Sequence, residues 1–476
     1  MGFYTTALLR SEPFPRRAAG FALRIAKAMA RRGARLVAPG VLRSMRTAVE
    51  ASSIDLAVVR SAVKKVIDVP SHSMSAKPQS APRVVSVIGS LAAGGAERQL
   101  AMYVSEATRL GLAQHELVTL NRCEGVHAHH LPRVESAGVA IRTMGAEACQ
   151  TVLAEIRADR NLRLRLRAVP AVLRPDVSEL AGEFLRSRPD VVHAWLDHAN
   201  IVAGIAALSV GVPRLILSLR SLHPGNFPAL HRVWMHPCYL ALAEDPRVRF
   251  VANSREGARS YAEWLGIDPS RIAVVLNGVD AAEALRPSER EVARVRAELA
   301  PGGARLVTGV MRLSEEKRPE LFADVARRIC AVRSDVHFAI AGDGPLIDVL
   351  RSVVRPLGSR FMVLGRRSDV PAILAASDAV LLTSRIEGTP NVLLEAQSLG
   401  TPVVSTRVGG VPDVVHDGST GILAERDDTD GLVRAVLTLL SDEDQRVRMG
   451  IEAARTIAAQ CSVDAMVRAT DVLYRG

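Results

Sequence analysis

Residues 384 to 396 read Ser384-Arg385-Ile386-Glu387-Gly388-Thr389-Pro390-Asn391-Val392-Leu393-Leu394-Glu395-Ala396. The apolar run from Asp378 to Ser384 has strand character, Thr389 is a good N-cap and Pro390 suits a first helical position, so the stretch is predicted as strand, turn, helix. A helix that starts beside such a turn offers free N–H groups and the positive end of its dipole, which hold a phosphate or a sugar hydroxyl. Glu387 stands at that mouth. Val392, Ala396 and Leu399 recur at i, i+4 and i+7, and Glu395 falls inside this apolar stripe, where a carboxylate needs a partner. Taken alone, two glutamates at this spacing are more often a solvated surface pair.

Outward from this stretch, strand-like runs at 305–309, 337–341, 361–364, 379–382, 403–405 and 421–423 alternate with helical patterns beginning near Lys317, Pro345, Val370, Pro390, Val411 and Thr429. A second series upstream, at 84–88, 116–120, 139–143, 190–194, 214–218, 249–252 and 272–276, repeats the alternation that marks parallel α/β sheets. Between Val279 and Gly303 the chain turns polar, carries Pro287 and Glu289-Arg290-Glu291, and breaks at Pro301-Gly302-Gly303. The expected fold class is α/β: a basic N-terminal extension and linker over 1–82, a Rossmann-like domain over 83–285, a second over 303–455, and a C-terminal helix over 456–476 that packs back on the first. Two such domains leave a cleft between the C-terminal ends of their strands, where ligands of open α/β sheets bind. Segment 144–185, rich in Arg, Ala and Leu, is predicted helical.

The chain has 476 residues, 48% hydrophobic and 23% charged, ordinary values for a globular protein. The apolar stretch from Asn200 to Pro213 is shorter than the roughly 18 residues a membrane span requires. Arginines from Arg10 onward interrupt any signal sequence, and the five cysteines (Cys123, Cys149, Cys238, Cys330, Cys461) show no metal spacing. Reduced thiols and a cytoplasmic location are expected. All of the net charge of +11 lies in residues 1–83, with 15 basic and 4 acidic side chains, while the remainder carries 46 of each sign. The main body therefore has no electrostatic footprint for nucleic acid. On a helical wheel from Arg16 to Leu36, Phe21, Ala22, Ile25, Met29 and Leu36 oppose Arg17, Arg24, Lys27, Arg31 and Arg35, the pattern of a helix on an anionic membrane surface. Residues 1–40 are its expected contact; a disordered tail, or an untranslated segment ahead of Met74, is the alternative.

The second domain opens with Gly309-Val310-Met311-Arg312-Leu313-Ser314-Glu315-Glu316-Lys317. A strand end delivers Arg312 to the cleft and Lys317 starts the next helix; two cations facing the helix at Pro390 can clamp a diphosphate. Each alone reads as a solvated charge, and their location favours the diphosphate. Gly342-Asp343-Gly344-Pro345 is read as a structural turn, and the lack of G-x-G-x-x-G removes the defining loop of a dinucleotide dehydrogenase. In the first domain, Gly94-Gly95-Ala96-Glu97-Arg98-Gln99 joins the first strand to a helix; paired glycines let N–H groups approach an anion, although a tight turn explains them equally well. His193 ends the strand Asp190-Val191-Val192-His193, followed by Asp197 and His198, and reads as either a satisfied core residue or a functional group.

The ordered set of Gly94-Gly95-Ala96-Glu97, Asp190-Val191-Val192-His193, Asn277-Gly278-Val279-Asp280, Arg312 with Lys317, Gly342-Asp343-Gly344-Pro345 and Glu387-x7-Glu395 resembles glycosyltransferase family 4 over about residues 84–476. Members are retaining, nucleotide-sugar-dependent enzymes of the GT-B fold, two Rossmann-like domains facing across a cleft. The resemblance implies that Arg312 and Lys317 hold the donor diphosphate and stabilise the leaving nucleotide, with Glu387 as the third catalytic residue. It implies that Glu387 and the main chain of Gly388, Thr389, Pro390, Asn391 and Val392 meet the transferring sugar, that Glu395 accepts from the ribose, and that main-chain groups near Gly365 and Arg366 hold the base. Gly94 and Gly95 would approach donor phosphate or acceptor; His193, His198 and Arg220 are the acceptor-side candidates. Many members carry a histidine where this chain has Leu217-Ser218-Leu219-Arg220-Ser221, so Arg220 is the candidate for that place. The implied activity is hexose transfer from a nucleotide sugar, a UDP-sugar ahead of a GDP-sugar, to a saccharide or lipid-linked acceptor in bacterial surface polysaccharide or lipopolysaccharide synthesis, at the inner face of the cell membrane. No cofactor and no metal is expected. An epimerase of the same fold and a non-catalytic nucleotide-sugar-binding protein are the alternatives.

Overall fold

The computed structural model describes residues 56–70, 81–145, 156, 159–280 and 286–475. The proposed membrane helix at 16–36 and Cys149 lie outside these residues. The first sheet contains β1 (Arg83–Ile88), β2 (Gln114–Thr119), β3 (Ala140–Thr143), β4 (Val191–Trp195), β5 (Arg214–Leu219), β6 (Val248–Ala252) and β7 (Ile272–Val274), in the order β3-β2-β1-β4-β5-β6-β7. The second contains β8 (Arg305–Val310), β9 (Val336–Ala341), β10 (Phe361–Gly365), β11 (Ala379–Leu382), β12 (Val403–Thr406) and β13 (Gly421–Ala424), ordered β10-β9-β8-β11-β12-β13. Every pairing is parallel, as the alternation predicts. Central strands such as Val191–Trp195 are buried at every position, the reading of a parallel strand covered on both faces.

The first domain begins earlier than residue 83. Helix α1 (Leu56–Ile67) buries Val59, Val63, Val66 and Ile67 in the same core as Ile201, Ile205 and Tyr239. The three valines recur at helical spacing, and on the other face Arg60 and Lys64 pair with Glu244. A short apolar stripe inside a basic segment reads locally as linker; packing makes it part of the domain. Segment 144–185 contains two helices, Arg160–Ala168 and Arg174–Ser187, among its described residues.

The second domain likewise starts ahead of 303. Ser288 and Glu291 form a capping box, so the charged run at 289–291 is the first turn of a helix (Glu289–Leu299) whose Val295 and Leu299 pack with Leu306 and Ala339. At the far end, α2 (Val463–Arg475) returns to the first domain and buries Met466, Val467 and Tyr474 there. The chain crosses between domains twice, side by side: Val279 N–H donates to Cys461 O at 2.7 Å and Val463 N–H to Val279 O at 3.2 Å. Gly278 permits the approach, since a Cβ there would lie 2.8 Å from Val463 Cα. Cys123, Cys238, Cys330 and Cys461 are free thiols. No described helix is long and apolar enough to cross a membrane.

Candidate active site

Strand β11 delivers the chain to the front of the second domain, and α3 (Asn391–Ser398) leaves it there. Between them Glu387 is buried, and its Oε1 accepts from Lys317 Nζ at 2.5 Å and from Ser384 Oγ at 2.6 Å. Lys317 belongs to the turn after β8, the neighbour of β11; the helix itself begins at Pro319, two residues later than expected. Arg312 lies in the same loop, exposed, with no side-chain partner among the described residues. The Gly342–Gly344 turn buttresses this loop: Cβ atoms there would lie 1.8 Å from Met311 O and 2.4 Å from Leu313 O. Its structural reading stands, with the added result that it fixes the segment carrying Arg312.

The helix start differs from the expected one. Pro390 occupies the cap position and no side chain caps the helix. The Thr389 hydroxyl instead donates to Asn253 O of the first domain at 2.5 Å. Asn391 Oδ1 accepts from Asn277 Nδ2 at 2.7 Å and from Gln99 Nε2 at 3.1 Å, and its Nδ2 donates to Gly95 O at 3.3 Å. Gly388 meets the first domain so closely that a Cβ would lie 2.8 Å from Arg220 O. Glu395 is buried with its Oε1 2.5 Å from Arg98 Nη1; burial pushes its pKa up, against the pull of Arg98. Val392 is half-buried on the same helix. The front of α3 therefore faces Gly94–Gln99, Arg220, Asn253 and Asn277 across the cleft. This is one site assembled from both sheets' C-terminal edges.

Two family models match the chain: Glycosyltransferase Family 4 over residues 93–283 and Glycosyl transferases group 1 over 304–442. The chain is a family 4 glycosyltransferase of the GT-B type. The Vi polysaccharide biosynthesis protein VipC/TviE of Salmonella typhi is 29% identical over 74% of this chain and 64% of its own length, so this chain spans less than two thirds of that relative. The Escherichia coli enzyme named UDP-Gal:alpha-D-GlcNAc-diphosphoundecaprenol alpha-1,3-galactosyltransferase is 29% identical over 54% of this chain and 68% of its own. Among solved structures, Anabaena HepE in complex with UDP-glucose shares the fold at a TM-score of 0.67, with 20% identity over 82% of this chain and 99% of that one.

In the first domain neither of the two acceptor-side histidines lies at the cleft. His193 does not face the cleft: it is buried mid-core with Nδ1 2.7 Å from the Tyr474 hydroxyl and Nε2 2.7 Å from Ser218 Oγ, so both ring nitrogens are satisfied and burial holds its pKa well down. His198 is exposed and pairs with Asp176 at 2.8 Å, within its own domain. Arg220 does reach the front. Its guanidinium lies 4.5 Å above the Trp195 ring and bonds to Asn277, and burial lowers its pKa to about 9, which leaves it cationic at neutral pH. Gly94 precedes the first-domain helix α4 (Gly95–Arg109), and the Glu97 carboxylate folds over it, 2.0 Å from where a Cβ would stand. On the opposite side, Gly365 adopts φ +68° and accepts from Gly342 N–H at 2.8 Å, while Arg366 is exposed and 3.1 Å from Asp343. The acidic runs at 427–430 and 442–444 supply helix caps: Asp428 accepts from Gly431 N–H and Asp442 from Gln445 N–H. Sequence reasoning quoted Arg98, Gln99 and Asn277 within motifs but gave them no role, and it missed Asn253; the signal for Arg98 was that a carboxylate at position 395 needed a partner.

Proposed function

We propose that this family 4 enzyme is a retaining hexosyltransferase that takes its sugar from a nucleoside diphosphate, UDP ahead of GDP, and places it on a saccharide or lipid-linked hydroxyl in bacterial surface-polysaccharide synthesis. The observation that carries this reading is the Lys317–Glu387 contact at the start of α3, with unpaired Arg312 in the same loop. It puts one cation beside a helix N-terminus, with a second in the same loop, the kind of groups that accept the charge developing on a departing diphosphate. In the reaction the bond from the anomeric carbon to the diphosphate oxygen breaks and the acceptor oxygen bonds to the same face. The acceptor proton passes to the departing phosphate oxygen, so no separate base is needed. Glu387 and the α3 main chain orient the sugar, and Glu395 receives the ribose hydroxyls. The polysaccharide setting draws on the Salmonella relative, the lipid-linked acceptor on the Escherichia one, and the UDP preference on the ligand of the Anabaena structure. The basic stretch within residues 1–40 would hold the enzyme at an anionic membrane surface beside a lipid-linked acceptor.

A screen of nucleotide sugars by thermal stabilisation tests the donor assignment: a ligand at 100 times its Kd should add about 2.7 kcal/mol. Stabilisation by a UDP-hexose, followed by transfer that depends on acceptor, is the expected result. Donor consumption without acceptor would instead mark an epimerase, and binding without turnover a non-catalytic protein.

A further inference from the structure

The cleft is held shut at Glu395 by a side chain of the opposite domain. Arg98 lies in the first turn of α4, and its Nη1 stands 2.5 Å from Glu395 Oε1. Among the described residues it is the only side chain bonded to that carboxylate. Asp280, on the connection between the domains, adds a repulsive charge, and is itself clamped by Arg133 at 2.8 and 2.6 Å. Beside this pair, Asn391 bonds to Gln99, Asn277 and Gly95, so the N-terminal half of α3 is pressed against the first domain.

We propose that Arg98 is a plug of the nucleotide pocket: without donor its guanidinium takes the place at Glu395 that the ribose hydroxyls of a nucleoside diphosphate occupy, and donor entry requires this pair to break. The inference rests on the proposed role of Glu395 at the ribose. Two neutral hydroxyl donors are a weaker match for a carboxylate than one cationic N–H. The exchange is therefore driven by the diphosphate at Lys317, Arg312 and the helix start, and a nucleoside without phosphates fails to displace Arg98. Donor affinity is reduced by the fraction of molecules that remain plugged.

The test is calorimetric binding of UDP, of 2′,3′-dideoxy-UDP and, in parallel, of GDP to the wild type, Arg98→Met and Glu395→Gln. Arg98→Met is expected to bind its preferred diphosphate about two- to fivefold tighter, the scale of a partly exposed ion pair. Glu395→Gln is expected to erase the preference for UDP over its dideoxy form. If that preference persists in Glu395→Gln, the ribose role fails and the plug with it. If Glu395→Gln erases it but Arg98→Met binds equally or more weakly than the wild type, the plug alone is overturned. Absence of binding to the wild type and to Arg98→Met alike overturns the donor reading.

Discussion

The Lys317 ammonium lies 2.5 Å from Glu387 Oε1, so one of the two cations at the front of the second domain is already neutralised by a buried carboxylate. Arg312, five residues earlier, carries its charge unshared. The two therefore separate in a mutational test.

Arg312→Ala should leave the melting temperature unchanged, because the side chain is exposed and unpaired. It should lower kcat/KM by roughly 10- to 150-fold, the loss expected from a charge-assisted contact of about 1.5–3 kcal/mol. Lys317→Ala should reduce both, since it strands Glu387 with only Ser384 as a partner. Steady-state kinetics with matched melts decides; wild-type turnover in Arg312→Ala would remove the diphosphate role.

Transfer is expected to proceed without a divalent ion. Lys317, Arg312 and the α3 start supply positive charge, and the acids at 428 and 442 are engaged as caps. Activity should survive excess EDTA. Loss that only Mn²⁺ or Mg²⁺ restores would contradict this.

Helix α1 sets where the chain may be shortened. A chain starting at Met74 loses Val59, Val63, Val66 and Ile67 from the first core and should unfold at markedly lower temperature. A single Val63→Ala should already cost about 1–3 kcal/mol. A chain starting at residue 52 keeps α1 and lacks the basic stretch, so it is the proper control for membrane association. It should sediment less with anionic vesicles than the full chain, and the difference should shrink at high salt, each lost basic contact being worth about 1 kcal/mol. Equal, salt-insensitive sedimentation of both would remove the membrane role from residues 1–51.

Acid should destabilise the first domain. Burial holds His193 well below the ordinary histidine range and pushes His115 down to about 4. Both rings are neutral in the folded state, whereas in the unfolded chain they take up protons below about pH 6.5. The unfolded state then binds more protons, so stability falls as pH drops below 6.5, by up to about 1.4 kcal/mol per pH unit for each ring. Denaturant melts at pH 7.5, 6.5 and 5.5 should show that slope, and His193→Gln should flatten it; a stability that rises toward pH 5.5 would contradict the assignment.

The strands were legible because parallel sheets buried on both faces leave continuous apolar runs: Val191–Trp195 and Ala379–Leu382 stand where such runs predict them. Lys317 was legible as facing the helix after Glu387 because each motif follows its strand directly; that it pairs with Glu387 depends on β8 and β11 being adjacent, which the strand order alone reveals. Glu395 was readable as a buried acid, but its partner Arg98 lies 297 residues away, a pairing that no local pattern encodes. His193 stayed open between a core and a functional reading for the same reason. Its neighbours Tyr474 and Ser218 come from the last helix and from β5, and only their arrival turns a strand-end histidine into a core group. Thr389 reads as a helix cap locally and is diverted by an acceptor in the other domain.

Helix α2 is made after the whole second domain, yet Tyr474 lies inside the first, hydrogen-bonded to Tyr103 and His193. On the ribosome the first domain must therefore wait, with Tyr103 and His193 uncovered, while the second is completed. A stop between the second domain and α2 would leave the second domain intact and the first without Met466, Val467 and Tyr474 in its core.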